Sequence, residues 1–225
     1  MCYKKAIREF TKRDDSLARD LSPPPRLTRE RKSADERRSQ IIEAATQLIA
    51  ERGFWGVTLR DAAVLCGITE AGVLHHFQNK ARLLIAVLEY RDEADFQALA
   101  GLLGLDRADI DLDPLPVTLR QLCTALIRRN AGQPEIVRLY SVLNAESLEP
   151  THPAHAYFQD REDMALGLFA RSIRGVDNAE HVARHVLAMM DGLQLRWLRK
   201  PDRIDLQDEW NSLFDLAFAH LDPGR

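Results

Sequence analysis

TLRDAAVLCGITEAGVLHHFQNKARLL, residues Thr58–Leu84, reads as two short helices joined by a glycine turn, with a further helix starting at its end. Thr58 can cap a helix whose inward positions Leu59, Ala62, Ala63 and Cys66 are small or apolar, and Gly67 can take the left-handed backbone that ends it. Thr69 then caps a second helix. Ala71 and Gly72 near its start leave little bulk to hold that N-terminal end away from a base-pair edge. Asn79 opens the next helix with Lys80 in its first turn. A cation there opposes the helix dipole, so Lys80 is better placed to meet an external phosphate than to stabilise its own helix. This is the build of a helix-turn-helix DNA reader.

Charge runs unevenly around that stretch. The whole chain carries −3, but residues 1–85 hold 16 Lys and Arg against 11 Asp and Glu, and the remainder 15 against 23. A basic end lowers the cost of approaching phosphates, and an acidic remainder keeps the other face off a duplex. Upstream, residues 1–33 mix charges with little apolar periodicity and contain Pro23, Pro24 and Pro25, the pattern of a flexible tail. Its cations Arg26, Arg29, Arg31 and Lys32 suit either an arm reaching DNA or a solubility tail.

From Asp35 the pattern is helical, with Ile41, Ile42, Ala45, Leu48 and Ile49 at three- and four-residue steps and Gly53 after the last turn. Phe54 and Trp55 bridge to Thr58. No proline falls between Arg26 and Asp113, so the helix from Asn79 can run to about Leu103 and join the reader to everything beyond. Pro114 and Pro116, Gly132 and Pro134, Pro150 and Pro153, Gly175, and Pro201 cut the rest into five more helical segments. The expected fold is all-α, with about nine helices: a reader over residues 34–84 and a larger domain over residues 85–222.

At 225 residues, 45% hydrophobic and 29% charged, the chain has an ordinary globular balance and can bury a substantial core. The densest central apolar run, Leu83–Leu88, is far short of the roughly 20 residues a bilayer requires. Cys2, Cys66 and Cys123 are odd in number and widely spaced, which fits a reduced cytoplasm and small core residues better than a disulfide framework or a zinc cluster. A cytoplasmic location is expected.

The last two helices carry a different message. In Ala179–Leu198, Val182, Val186, Met189, Leu193 and Trp197 form one stripe while Leu187, Met190 and Leu198 lie on another. Ile204–Leu221 repeats the feature with Trp210, Leu213, Phe214 and Ala217. A helix apolar on two sides needs two partners, and a second copy of the chain supplies one. The expected homodimer interface is therefore Val182, Val186, Met189, Leu193, Trp210, Leu213, Phe214 and Ala217; a deeply buried helix pair in a monomer is the alternative.

These residues resemble the TetR family of transcriptional regulators, most specifically over Arg38–Leu84, where TLRDAAVLCGIT, EAGVLHHF and QNKARLL follow the family pattern. VRLYSVLNAESLEPTHPAHAYF and DGLQLRWL give a looser likeness to BetI-type repressors over most of residues 115–221. The resemblance implies a homodimer whose paired readers bind a palindromic operator and whose larger domain takes a small-molecule effector that releases the DNA. Carried over by position, Thr58, Arg60 and Lys80 would meet phosphate, and Thr69, Glu70, Ala71, Gly72 and His75 would face the groove. The family often has tyrosine where this chain has Leu74. Leucine lacks its hydroxyl, a loss that His75 and His76 can make good in part.

Other candidates are weaker. His75 and His76 point about 100° apart on a helix, too far for joint chelation. His181 and His185 can share a face without an accompanying ligand, and no metal site or cofactor is expected. Glu146, His152 and His155 surround a proline-broken loop, where they could cap helices or line a ligand or metal site. The effector pocket is expected among Leu122, Leu126, Tyr140, Leu143, Asn144, Phe158, Met164 and Leu168, with Gln194 and Trp197, a mostly apolar lining with sparse polar groups. No phosphate loop, GxSxG elbow or HExxH is present, so an enzyme is not expected. The competing reading is a ligand-binding or protein-interaction module with weak DNA binding.

Overall fold

Ten helices fill the computed structural model, which describes residues 33–221. In chain order they are α1 (Ala34–Arg52), α2 (Leu59–Cys66), α3 (Glu70–Phe77), α4 (Lys80–Leu103), α5 (Arg107–Ile110), α6 (Leu119–Ala131), α7 (Pro134–Glu146), α8 (His155–Ser172), α9 (Ala179–Arg199) and α10 (Leu206–Ala217), followed by a 3₁₀ turn at Ala219–Leu221. No strand occurs among the described residues. The additional helix relative to the expected nine is α5, a single turn stabilised by a capping box between Asp106 and Asp109. The tail reading and its Arg26, Arg29, Arg31 and Lys32 lie outside the described residues.

Short-range chemistry sets the helix ends. Ser33 and Glu36 form a capping box on α1, Thr58 and Asp61 one on α2, and Thr118 and Gln121 one on α6. Each satisfies amides at a helix start that have no partner in the helix. Gly67 ends α2 at φ 63°, ψ 38°, the left-handed conformation a β-carbon disfavours.

Packing divides the interior into two apolar clusters. One gathers Ile41, Ile42, Ala45 and Ile49 of α1, Ala62 and Ala63 of α2, Val73 and Phe77 of α3, and Leu84, Val87 and Leu88 of α4. It does not stop at the reader, because Leu139 and Leu143 of α7 and Phe158 of α8 belong to it. The other joins α6, α8, α9 and α10 around Leu119, Leu122, Ile127, Val186, Trp210 and Phe214. α4 passes from one to the other, so it is a covalent strut between the halves. α1 against α7 is a second, non-covalent junction.

Candidate nucleic-acid interface

α3 is amphipathic in the sense a DNA reader needs. Val73 and Phe77 are buried in the cluster shared by α1, α2 and α4, while Glu70, Ala71, Leu74 and His75 face outward. Thr69 stands at the N-cap, its hydroxyl accepting from the Gly72 amide at 3.2 Å. Gly72 itself is half-buried beside Ile68 and Thr69, so it shapes the base of the helix more than its outer face. A β-carbon there would meet only ordinary contacts at 3.5 Å, and the position does not demand glycine. His76 is half-buried, and burial lowers its pKa from the usual imidazole value, with His75, Arg37 and Arg38 adding to the shift.

Flanking groups are less uniform than the sequence suggests. Arg60 is exposed near the start of α2. The Thr58 hydroxyl is engaged locally: it lies 2.6 Å from Asp61 Oδ2 and accepts from the Asp61 amide at 3.1 Å. That local bonding holds the Asp61 carboxyl below its ordinary pKa. A phosphate at Thr58 would have to compete with Asp61. Lys80 does not extend freely; its ammonium sits 4.2 Å from the centroid of the Phe54 ring and 6.0 Å from that of Trp55. Burial lowers its pKa, opposed by the charges of Glu146 and Asp61. Gln78, which precedes the α4 cap Asn79, adopts φ 63° and donates its amide to the Leu74 carbonyl. No local signal marks a glutamine for that conformation.

The cationic excess of the N-terminal region lies outside the described residues. Residues 33–85 carry six Lys and Arg against six Asp and Glu, so this stretch has no net charge; Arg60 and Arg82 are exposed on it and Lys80 is half-buried.

In the larger half, the sequence-predicted pocket residues do not converge. Tyr140 and Phe158 pack with the reader's cluster, whereas Leu122, Leu126, Leu168 and Trp197 pack with the other, and Leu143 is fully buried in the first. Asn144 is exposed, Met164 is 74% exposed, and Gln194 is buried with its Oε1 accepting from Asn130 at 2.6 Å. None of them lines the cleft of about 410 Å³ along α6 near Leu102 and Arg128, or the one of about 330 Å³ between α1, α4 and α7. Tyr140 instead belongs to a polar cluster that sequence did not assemble. Its hydroxyl donates to Asp92 at 2.6 Å, Tyr157 donates to the same carboxylate, and Arg161 lies 3.3 Å from it and 4.5 Å from the centroid of the Tyr140 ring. Burial and the Asp92 charge push the Tyr140 hydroxyl's pKa far above the usual range.

Helices α9 and α10 also divide differently. Val186, Trp210 and Phe214 are fully buried within their own subunit and do not face outward. Val182, Leu193, Leu213 and Ala217 are half-buried, Met189 is 40% exposed, and Leu195 and Leu216, absent from the expected interface, are exposed. The two-sided apolar pattern is real, but a helical wheel does not say which side meets the chain's own core.

The α7–α8 loop is tied to the reader. Glu146 Oε2 accepts from the Phe54 amide at 2.7 Å, and buried His152 packs edge-on against Phe54 and Trp55 with ring centroids 5.0 and 5.6 Å away. His155 Nδ1 lies 2.7 Å from the Ser147 carbonyl. Neither Glu146 nor His152 caps a helix.

Known proteins align with this arrangement. Residues 41–87 match the model of the bacterial regulatory proteins of the tetR family. The HTH-type transcriptional regulator TtgR of Pseudomonas putida is 31% identical over 208 residues, covering 87% of this chain and 96% of TtgR. The HTH-type transcriptional regulator BetI of Rhizobium meliloti is 30% identical over 194 residues, 82% of this chain and 89% of BetI. Among solved structures, NalD, the secondary repressor of the MexAB-OprM multidrug efflux pump in Pseudomonas aeruginosa, shares the fold with a TM-score of 0.61 at 22% identity, over 86% of this chain and 99% of NalD.

Proposed function

This chain belongs to the TetR family of bacterial regulatory proteins, and from that premise we propose that it is a homodimeric repressor whose α3 helices read a palindromic operator and whose larger half takes a small-molecule effector that releases the DNA. The observation that carries the reading is α3 itself: a capped helix with Val73 and Phe77 anchored inside and Glu70, Ala71, Leu74 and His75 outward, flanked by Arg60 and Lys80. Glu70 cannot accept anything from phosphate, but it can accept from a cytosine amino group, and His75 can donate to a base edge. Arg60 and Lys80 supply sequence-independent attraction and fix the register of the helix on the duplex.

Release follows from geometry. Two α3 helices about one DNA turn apart, roughly 34–36 Å, enter successive major grooves, so a change in their separation weakens binding. α4 carries Leu84 and Leu88 in the reader's cluster and Asp92 in the Tyr140–Tyr157–Arg161 cluster, so a ligand that rearranges the second displaces the first. The ligand can shift the equilibrium only by its differential affinity for the two arrangements. An effector that enters there must displace bonds already made among Tyr140, Tyr157, Arg161 and the Asp92 carboxylate, which favours a mostly apolar molecule carrying one or two hydrogen-bonding groups of its own.

A gel shift with the DNA flanking the chain's own gene tests the proposal. A discrete complex at moderate salt, displaced only by related sequence, supports it. Failure to form one, or equal displacement by any duplex, favours the interaction-module reading.

A further inference from the structure

The covalent route from effector half to reader is α4, yet the contact most directly placed against the reader's turn joins residues 92 positions apart. We propose that Glu146 is a positioning residue for DNA binding: from the end of α7 it fixes the turn between α1 and α2, and that turn seats the side chain of Lys80 at the start of α4, giving a connection between the halves that does not run along the length of α4. The inference rests on the reading that Lys80 meets phosphate.

Each link is local. Phe54 is 3% exposed, and its amide has the Glu146 carboxylate as acceptor at 2.7 Å. A buried amide deprived of its acceptor is strongly penalised, so the turn follows the carboxylate. Gly53 beside it has φ 69° and ψ 172°, a conformation open essentially to glycine alone. A β-carbon at Gly53 would also run into Glu146 Oε1, so the chain passes directly beneath the carboxylate. The Phe54 ring that this turn positions is the surface on which the Lys80 ammonium rests, 4.2 Å from its centroid.

The far side is closed by the α7–α8 loop. His152, 3% exposed, packs edge-on to both Phe54 and Trp55, and its Nε2 lies 3.8 Å from Glu146 Oε2. Lengthening the Phe54–Glu146 bond by about 1 Å would take it beyond hydrogen-bond range. A small shift of the α7 end therefore either drags the turn with it or lets the turn go. In both cases the Phe54 ring beneath the Lys80 ammonium shifts without any movement passing along α4.

Random-sequence duplex suffices as the probe, because a phosphate contact is independent of sequence. Fluorescence anisotropy of the full chain across a salt series would compare wild type with Glu146→Ala, Glu146→Gln, Lys80→Ala and the Glu146→Ala/Lys80→Ala double variant. Glu146→Ala is expected to weaken binding by up to about eightfold per half-site at 0.1 M salt, the share of one phosphate contact. Glu146→Gln, which keeps an oxygen for the Phe54 amide, stays within about twofold of wild type. The double variant binds no more weakly than Lys80→Ala alone, since both substitutions remove the same contact.

Additive losses in the double variant, or a Glu146→Ala chain that binds as wild type does, would overturn the proposal while leaving the regulator reading intact. A wild-type chain that binds no duplex even at low salt overturns both. Hydrogen exchange of the wild type keeps the proposal open to refutation even if Glu146→Ala does not fold. Duplex binding should slow exchange at the α7 end, around residues 144–148, because coupling between two sites is reciprocal. Protection confined to the reader would count against the connection.

Discussion

Replacing Lys80 by alanine separates the two roles its position allows, because they leave different signatures. Each phosphate contact contributes about 0.9 to the slope of log affinity against log salt. A dimer presents two copies of Lys80, so the substitution should reduce the slope by roughly 1.8. Over the fourfold span from about 50 to 200 mM salt, wild type should then lose about twelvefold more affinity than the variant. The same substitution removes the ammonium from the Phe54 ring, 4.2 Å from its centroid. Half-buried cation–π pairs contribute roughly 0.5–1 kcal/mol, and the burial that lowers the Lys80 pKa offsets part of that. The melting temperature should therefore fall by less than about 4 °C in a chain of this size. Operator titrations across salt, with a thermal melt of the same samples, measure both effects. A drop in melting temperature with an unchanged salt slope would refute the phosphate assignment and leave Lys80 a purely structural staple.

Other outcomes follow from the described contacts. Gly67→Ala forces a β-carbon into the left-handed turn at φ 63° and should cost about 1 kcal/mol or more, visible as a lower denaturant midpoint with weaker operator binding. Trp210→Ala, at a fully buried position in the cluster of α6, α9 and α10, should cost about 3–5 kcal/mol in chemical denaturation. Burial lowers the His152 pKa, with Glu146 opposing the shift and His155 and Lys80 adding to it. The folded state therefore binds its proton less readily than the unfolded chain. Its stabilising contribution is complete above the ordinary imidazole pKa and is lost as pH falls below it, so wild type should destabilise more steeply than His152→Gln between about pH 7 and 5. Equal pH slopes would contradict the assignment.

What could be read from sequence followed the range of the forces involved. Thr58, Gly67, Thr69 and Asn79 mark helix ends through contacts within three or four residues, the three polar side chains as N-caps and Gly67, which has no β-carbon, as the left-handed C-cap. The long α4 was legible because no proline interrupts it. The short α5 carried its signal too, an Asp106–Asp109 capping box, but a single turn has no apolar periodicity to draw attention to it. Long-range partners were not legible. Tyr140 and Trp197 both lie on apolar helix faces, and only the packing reveals that they belong to different clusters. The same holds for Val186, Trp210 and Phe214: the sequence marks them as buried but not by which subunit. Nothing near Phe54 announces that its amide will find Glu146 across 92 positions.

Footprinting tests the central claim most directly. A genomic fragment selected by the chain, probed for protection along both strands, should show two related half-sites whose centres lie about 10–10.5 base pairs, or a multiple of that, apart, from a particle of two chains. A single protected half-site, or protection without preference for sequence, would contradict the account.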